Sequence, residues 1–240
     1  MKSKSTAAYN AIFEWLKTQI PNFRPEVVMS DFESALREAI RENFPLARHL
    51  GCWFHFCWAI YRKMCNLGLS AAYQSDSWVR KVGNWFMAIP LLPPEHIIAG
   101  RNFVDTQIRG SECYQQQLLQ VVEYFDSFSY WVMQVGVESL SVFNQPRRTN
   151  GIQESWHRTL NRRAGQNPNF WKFAEAIRED GNFMISQLAR SQEGFPLSRG
   201  EGHPNRWLRQ NIQISTLSTN WVLSKYVIEI KNNQQLYLSE

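Results

Sequence analysis

The chain has 240 residues, a net charge of +5 and 44% apolar side chains, among them ten Trp and fifteen Phe. This length suits one large domain or one and a half, with enough apolar bulk for a sizeable core. A mean hydropathy of −0.40 and the lack of an apolar run near about 18 residues argue against a membrane-spanning helix.

The charged start of the chain lacks the apolar segment of a signal peptide behind it. The four cysteines are therefore expected to stay reduced in an intracellular compartment, with no disulfide framework. The positive net charge fits a nucleic-acid partner without establishing one.

The first third of the chain predicts alternating helices and strands. Apolar spacing predicts an amphipathic helix over 9–19, and the apolar run 26–30 predicts a strand buried on both faces of a parallel sheet. A helix over 32–43, a second strand over 48–54 and a helix over 55–67 follow. This order is typical of a parallel α/β unit.

Beyond residue 70 the sequence predicts mostly helices, over 78–88, 94–103, 112–128, 152–163 and 170–188. In the last helix, the apolar residues expected to face inward are Trp171, Phe173, Ile177, Met184 and Leu188. Residues 191–204 are rich in Gly, Pro and Ser and predict a flexible link. The remainder is ambiguous between helix and strand.

Asp31 directly follows the first predicted strand. Nucleotidyl transfer with two divalent metals needs carboxylates on rigid strand ends, where the ions can hold the attacking and leaving oxygens. The alternative is a helix cap, since Ser30 or Asp31 could accept hydrogen bonds from the free N–H groups that follow.

Glu154 lies on an arginine-rich helix, where five cations surround it: Arg147, Arg148, Arg158, Arg162 and Arg163. A DNA-cutting site needs such cations to hold phosphates. The alternative is a surface glutamate that pairs with Arg158 one turn later.

Cys52 and His55 have the spacing of metal ligands, but a structural zinc site needs four. Cys57 would point from another face, and Cys65 lies deep in a helical pattern. We therefore expect Cys52 and His55 to pack beside the sheet without structural zinc.

Three segments in this order resemble the Mutator-like element (MULE) transposases. They are Met29-Ser30-Asp31-Phe32-Glu33, Gly51-Cys52-Trp53-Phe54-His55 and Arg148-Thr149-Asn150-Gly151-Ile152-Gln153-Glu154. The similarity runs from about Tyr9 to about Leu238. The chain departs from the family pattern at Gly151, where a second Asn is usual, and the family's first catalytic Asp has no counterpart, because no strand-like run precedes Tyr9.

The resemblance implies an α/β fold: a partial ribonuclease-H-like core without its first three strands, a large helical insertion and a helical C-terminal part. The expected divisions are the core portion over 1–70, the insertion over 71–145, the helix of the third acid and its successor over 146–190, and a linker with the C-terminal segment over 191–240.

The resemblance also implies a nuclear DDE-type transposase that binds DNA (transposon ends or target), with Mg²⁺ or Mn²⁺ as cofactor and with homo-oligomers as a further expectation. Asp31 and Glu154 would be its second and third metal-binding acids, lying within roughly 10 Å of each other. With one acid missing, we expect a transposase fragment that is inactive as an isolated chain. The alternatives are a domesticated, non-catalytic DNA- or protein-binding protein and a plain helical interaction domain.

Overall fold

The structure, a computed structural model, describes residues 4–126, 130–165 and 167–193. It divides the chain into two compact units, with the boundary between Thr149 and Asn150. Most of the predicted link over 191–204, and all of the C-terminal segment after it, fall outside the described residues. Within the described ranges, no helix is both long and apolar enough to cross a lipid bilayer.

The first unit opens with alternating helices and strands: α1 (Thr6–Gln19), β1 (Val27–Ser30), α2 (Ser34–Asn43), β2 (Arg48–Gly51) and α3 (Trp53–Asn66). Helix α1 begins where the Ser5 side chain accepts a hydrogen bond from the Ala8 N–H at 3.3 Å. Its aromatic residue Phe13 packs edge-on against Phe44 at the end of α2, with ring centroids 5.2 Å apart. The predicted helix and strand order is confirmed in this region.

Strands β1 and β2 pair in parallel, with Val27 opposite Arg48 and Ser30 opposite Gly51. The predicted parallel pairing is thus confirmed, in a sheet of two strands. The expectation that β1 is buried on both faces was wrong, because Val27 is 49% exposed and only Ser30 is fully buried. Apolar content alone could not show that the start of this strand lacks a covering layer.

Between residues 70 and 140, the described part of the first unit is helical. It contains α4 (Ser70–Ser75), α5 (Ser77–Ala88), α6 (Ile97–Arg109), α7 (Gln115–Asp126), a π-helical stretch (Tyr130–Gly136) and α8 (Val137–Leu140). These helices pack on α3 around a shared core in which Phe56 contacts Phe125 and Trp131 edge-on. The described part of the molecule is therefore mostly helical, and the small sheet contacts α2 and α8.

The described part of the second unit is a helical hairpin of α9 (Gly151–Ala164) and α10 (Phe170–Gln192). Helix α9 ends at Gly165, whose positive φ of +82° is a backbone conformation that glycine adopts more easily than other residues. Leu160, Ala164 and Ala176 form a small apolar contact between the two helices.

The orientation expected for α10 was wrong. The five apolar residues expected to face inward are exposed: Trp171, Phe173, Ile177, Met184 and Leu188. The buried residues of this helix are Ala176, Asp180 and Gln187. Helical spacing identifies an apolar face, but it does not tell which neighbour covers that face.

Candidate functional site

Asp31 lies directly after β1, at the carboxyl end of the strand, and is half-buried. Its Oδ1 accepts a hydrogen bond from the N–H of Glu33 at 3.2 Å, which closes a tight turn ahead of α2. Helix α2 itself has Glu33 as its N-cap, without a side-chain cap. The capping alternative thus holds in part: Asp31 supports the turn and does not cap the helix.

A second acid, Glu33, shares this end of the sheet. Its carboxylate accepts hydrogen bonds from the hydroxyl of Tyr9 at 3.0 and 3.1 Å and lies 3.4 Å from the Lys4 ammonium. Burial, then the hydrogen bond to Glu33, and then the negative charges of Glu33 and Asp31 raise the pKa of Tyr9. The turn after β1 therefore carries two carboxylates, of which Glu33 is already engaged by a phenol and a cation.

Ser30 and His49 form a buried polar pair beside Asp31. The Ser30 hydroxyl donates to the carbonyl oxygen of Asp31 at 2.8 Å and lies 2.7 Å from Nε2 of His49. Because the single hydroxyl hydrogen is used on that carbonyl, the hydrogen-bond network assigns the proton of His49 to Nε2, which donates to Ser30. Burial, and then the charges of Arg37 and Arg41, lower the pKa of His49 to about 3, so this ring is neutral.

Cys52 links the end of β2 to α3 and is fully buried. Its N–H donates to the carbonyl of Ser30 at 2.8 Å, and its own carbonyl accepts the N–H of Phe56 at 3.1 Å as α3 begins. His55 lies in the first turn of α3 and is half-buried. Burial, with the neighbouring Cys52, raises the pKa of Cys57 to about 12, the opposite direction from that of a metal-binding thiolate.

Backbone hydrogen bonds connect the three sequence motifs within the first unit. The end of β1 binds the second motif through Ser30 and Cys52, and the N–H of the next residue, Trp53, donates to the carbonyl of Arg148 at 2.9 Å. Arg148 is the first residue of the third motif. Segments more than 90 residues apart in sequence therefore meet at the carboxyl ends of the two strands.

Glu154 lies in the first turn of α9, in the second unit, and is half-buried. Residues 154, 158 and 162 are four apart, so Glu154, Arg158 and Arg162 lie on one face of the helix. Both arginines are exposed, and neither has an acidic partner among the described residues. The pairing of Glu154 with Arg158 stays an alternative.

The other three predicted phosphate-binding cations differ in placement. Arg147 is exposed, whereas Arg148 is buried, and burial lowers the pKa of its guanidinium. Arg163 lies 2.8 Å from Asp180 on α10, and its guanidinium lies over the ring of Phe183. Arg147, Arg158 and Arg162 are thus the members of the predicted cluster whose charges face solvent.

The donors fit a divalent metal only in part. Carboxylate oxygens are ligands that Mg²⁺ and Mn²⁺ prefer, and Asp31 offers them at a rigid strand end. Among the described residues, however, no group of three His, Cys, Asp or Glu side chains is arranged to hold a metal ion. The described residues therefore supply donors of the right kind in too small a number.

Sequence reasoning missed Tyr9 and His49 as parts of this site. The parallel register brings His49 next to Ser30 as a diagonal neighbour, and that register depends on contacts that are distant in sequence. A surface pocket of about 380 Å³ lies elsewhere, at the amino ends of both strands, and includes Lys17 and Phe44.

Residues 1–59 match the family model described as the MULE transposase domain. The match confirms the resemblance for this part of the chain, which contains Asp31, Cys52 and His55 and ends before Glu154. It supports a transposase-derived origin and, in general terms, an interaction with DNA. No curated protein and no solved structure matches the chain.

Proposed function

We propose that this protein is a transposase-derived DNA-binding protein that acts in the nucleus and retains part of a DDE-type site. In this proposal, β1 and β2 belong to a ribonuclease-H-like sheet, and Asp31 and Glu154 correspond to the second and third metal-binding acids. Because two carboxylates leave a metal pair under-coordinated, the 240-residue chain alone binds DNA without cleaving or joining it.

The meeting of the three motifs is the observation that carries the proposal. A chance similarity of short motifs has no reason to join them in space, whereas Ser30 bonds to Cys52 and Trp53 bonds to Arg148 through the backbone. Glu154 follows Arg148 by six residues along the chain. The family match over residues 1–59 supports the same interpretation independently of the structure.

Metal binding tests the pairing of the two acids. Mn²⁺ affinity, measured by electron paramagnetic resonance, should fall in Asp31→Asn and in Glu154→Gln. The double variant should lose little more than either single variant, because two ligands of one ion are strongly coupled. Glu26→Gln, an exposed acid just before β1, is the control and should leave the affinity unchanged. Independent, additive losses would refute a shared ion.

DNA binding tests the cation surface. Arg158→Ala with Arg162→Ala should weaken binding to any duplex sequence and reduce the slope of log K against log salt by about 1.8, since each phosphate contact contributes about 0.9. Arg163 is left intact because its removal would break the ion pair with Asp180. The control is Arg109→Ala, an exposed arginine on α6. An unchanged affinity and slope would place Arg158 and Arg162 on an ordinary solvated helix face.

A non-catalytic, domesticated protein-binding role is the second candidate, and the exposed apolar side of α10 favours it. The two roles differ in what happens when the missing acid is supplied. A DDE remnant should gain Mg²⁺-dependent cleavage when a segment carrying the first strand and its Asp is added, whereas a domesticated binder should not.

A further inference from the structure

Helix α3 carries a row of aromatic rings on the side that faces away from the core. Phe54 and Trp58 are 52% and 51% exposed, and Tyr61 is half-buried. Because these residues are four and three positions apart, they lie on one narrow face of the helix. Phe56 and Ile60 lie on the opposite face and are fully buried. The row is therefore separate from the packing that holds α3 in place.

The row continues from α3 onto α4 through ring contacts. The rings of Trp58 and Tyr61 have centroids 5.8 Å apart and are inclined by 35° to each other. Tyr61 meets Tyr73 of α4 edge-on, with centroids 5.5 Å apart. The hydroxyl of Tyr73 donates to Oδ1 of Asn84 at 2.9 Å. Such contacts hold the rings in place before a partner binds, so less conformational entropy is lost on binding.

The surroundings of the row are positively charged. No Asp or Glu occurs over residues 43–75. Arg62 is exposed and lies one turn after Trp58, and Arg80 is exposed and donates from its Nε to the carbonyl of Tyr73 at 3.1 Å. Neither arginine forms an ion pair with another described residue. The row is therefore complementary to a partner with negative charge.

This charge argues against two other occupants of the row. A second copy of the same face would bring like charges together. Residues 194–240 carry five Lys or Arg against three Glu, so this segment is net positive as well. Neither of them supplies the negative charge that the surface lacks, whereas a nucleic-acid strand supplies one at every phosphate.

The row starts at the carboxyl ends of the strands, where the three motifs meet. Phe54 follows Trp53, whose N–H donates to the carbonyl of Arg148. From Phe54 to Tyr61 the helix carries the rings about 10 Å away from this point. The row thus continues the proposed DNA-binding site along α3, within the first unit.

We propose that these rings form a stacking platform for the unpaired bases of single-stranded DNA. Bases in a duplex stack on one another, so their faces do not reach protein rings, whereas a single strand presents a face at every base. Arg62 and Arg80 hold the phosphates of the strand. The inference rests on DNA as the partner in the proposed function, and it adds that the first unit binds an unpaired strand.

Binding of oligothymidylate, measured by fluorescence anisotropy at several salt concentrations, separates the two kinds of contact. Trp58→Ala should weaken binding about 5- to 100-fold, the range for one lost stacking contact, without changing the slope of log K against log salt. Arg62→Ala should reduce that slope by about 0.7, the contribution of one phosphate contact to a single strand. The controls are Trp15→Ala, an exposed ring on α1, and Arg48→Ala, an exposed cation of the same acid-free run. Both controls should leave affinity and slope unchanged.

Two comparisons separate stacking from other contacts. Trp58→Phe should keep most of the affinity and Trp58→Leu should lose it, because leucine is apolar but has no π-face. Circular dichroism should show the same helix content in both variants. An oligonucleotide of abasic sites, which has phosphates without bases, should bind the wild type and Trp58→Ala equally.

The inference is overturned if the wild type does not bind oligothymidylate, if Trp58→Ala binds it as tightly as the wild type, or if Trp58→Leu retains the affinity. Tighter binding of oligouridylate would identify RNA as the partner and refute the choice of DNA. Duplex binding that still depends on Arg158 and Arg162 in any of these cases would leave the proposed function standing. Loss of binding to both duplex and single strands would refute the two together.

Discussion

The structure leaves no room for a side chain at Gly51. It ends β2, it is buried, and a Cβ at this position would lie 2.5 Å from Cζ of Phe32. Carbon atoms in ordinary contact are about 3.5 Å apart, so Gly51→Ala requires the Phe32 ring to move by about 1 Å. That ring is packed edge-on against Trp131, with centroids 4.7 Å apart, and cannot move without disturbing the core.

The expected cost of Gly51→Ala is about 1–3 kcal/mol in the free energy of unfolding, the usual range for overpacking in a core. Because Phe32 directly follows Asp31, the variant should also weaken the Mn²⁺ binding that we propose for that acid. Gly110→Ala is the matched control: its added Cβ would meet only backbone oxygens at 3.6 Å, and its cost should stay within about 0.5 kcal/mol.

The assay is urea unfolding followed by far-ultraviolet circular dichroism, repeated in a Phe32→Leu background. If the ring causes the cost, Gly51→Ala should be clearly less destabilising once the ring is gone, which a double-mutant cycle reports as a coupling energy. An equal cost in both backgrounds would show that backbone conformation, and not the Phe32 contact, makes glycine necessary here.

Two further predictions concern buried polar groups. Asp180→Ala should lower the free energy of opening of α9, measured by amide hydrogen exchange, by about 2 kcal/mol. The reason is that Asp180 accepts a hydrogen bond from Trp156 and pairs with the partly exposed Arg163. Unchanged protection of the α9 amides would contradict this. His49→Gln should flatten the acid loss of stability. Between its unfolded-state pKa of 6.5 and its folded pKa of about 3, His49 takes up a proton only on unfolding. The stability of the wild type therefore falls as the pH falls through this range. It should fall by up to about 1.4 kcal/mol per pH unit more than the stability of the variant. Parallel pH profiles would refute the assignment.

The elements near the start of the chain could be predicted because their signals are local. The amphipathic spacing of α1, the apolar run of β1 and the acid that follows it are all read from neighbouring residues. The parallel order followed from alternation of helix and strand. These signals were sufficient to locate Asp31 at a strand end.

The boundary between β2 and α3 was misplaced because distant contacts decide it. The aromatic residues Trp53 and Phe54 favour a strand by propensity, yet they open the helix. The indole N–H of Trp53 donates to the carbonyl of Met87 at 2.7 Å, and Phe56 enters the core, both of which require helical geometry here. Which face of α10 is buried could not be predicted for the same reason, since burial depends on residues outside the helix.

The Gly-Cys-x-x-His spacing suggests ligands, but much of the motif has a structural reason in this chain. Gly51 leaves room for the ring of Phe32, the residue after Asp31. The N–H of Cys52 donates to the carbonyl of Ser30, the residue before Asp31. The two contacts hold both neighbours of the acid, so they fix the backbone from which its carboxylate extends. A carboxylate that must hold a metal or a phosphate-bound water within tenths of an ångström needs such support. The second motif therefore acts on the first by positioning Asp31, and Gly51→Ala distinguishes this role from metal ligation because glycine has no donor side chain to lose.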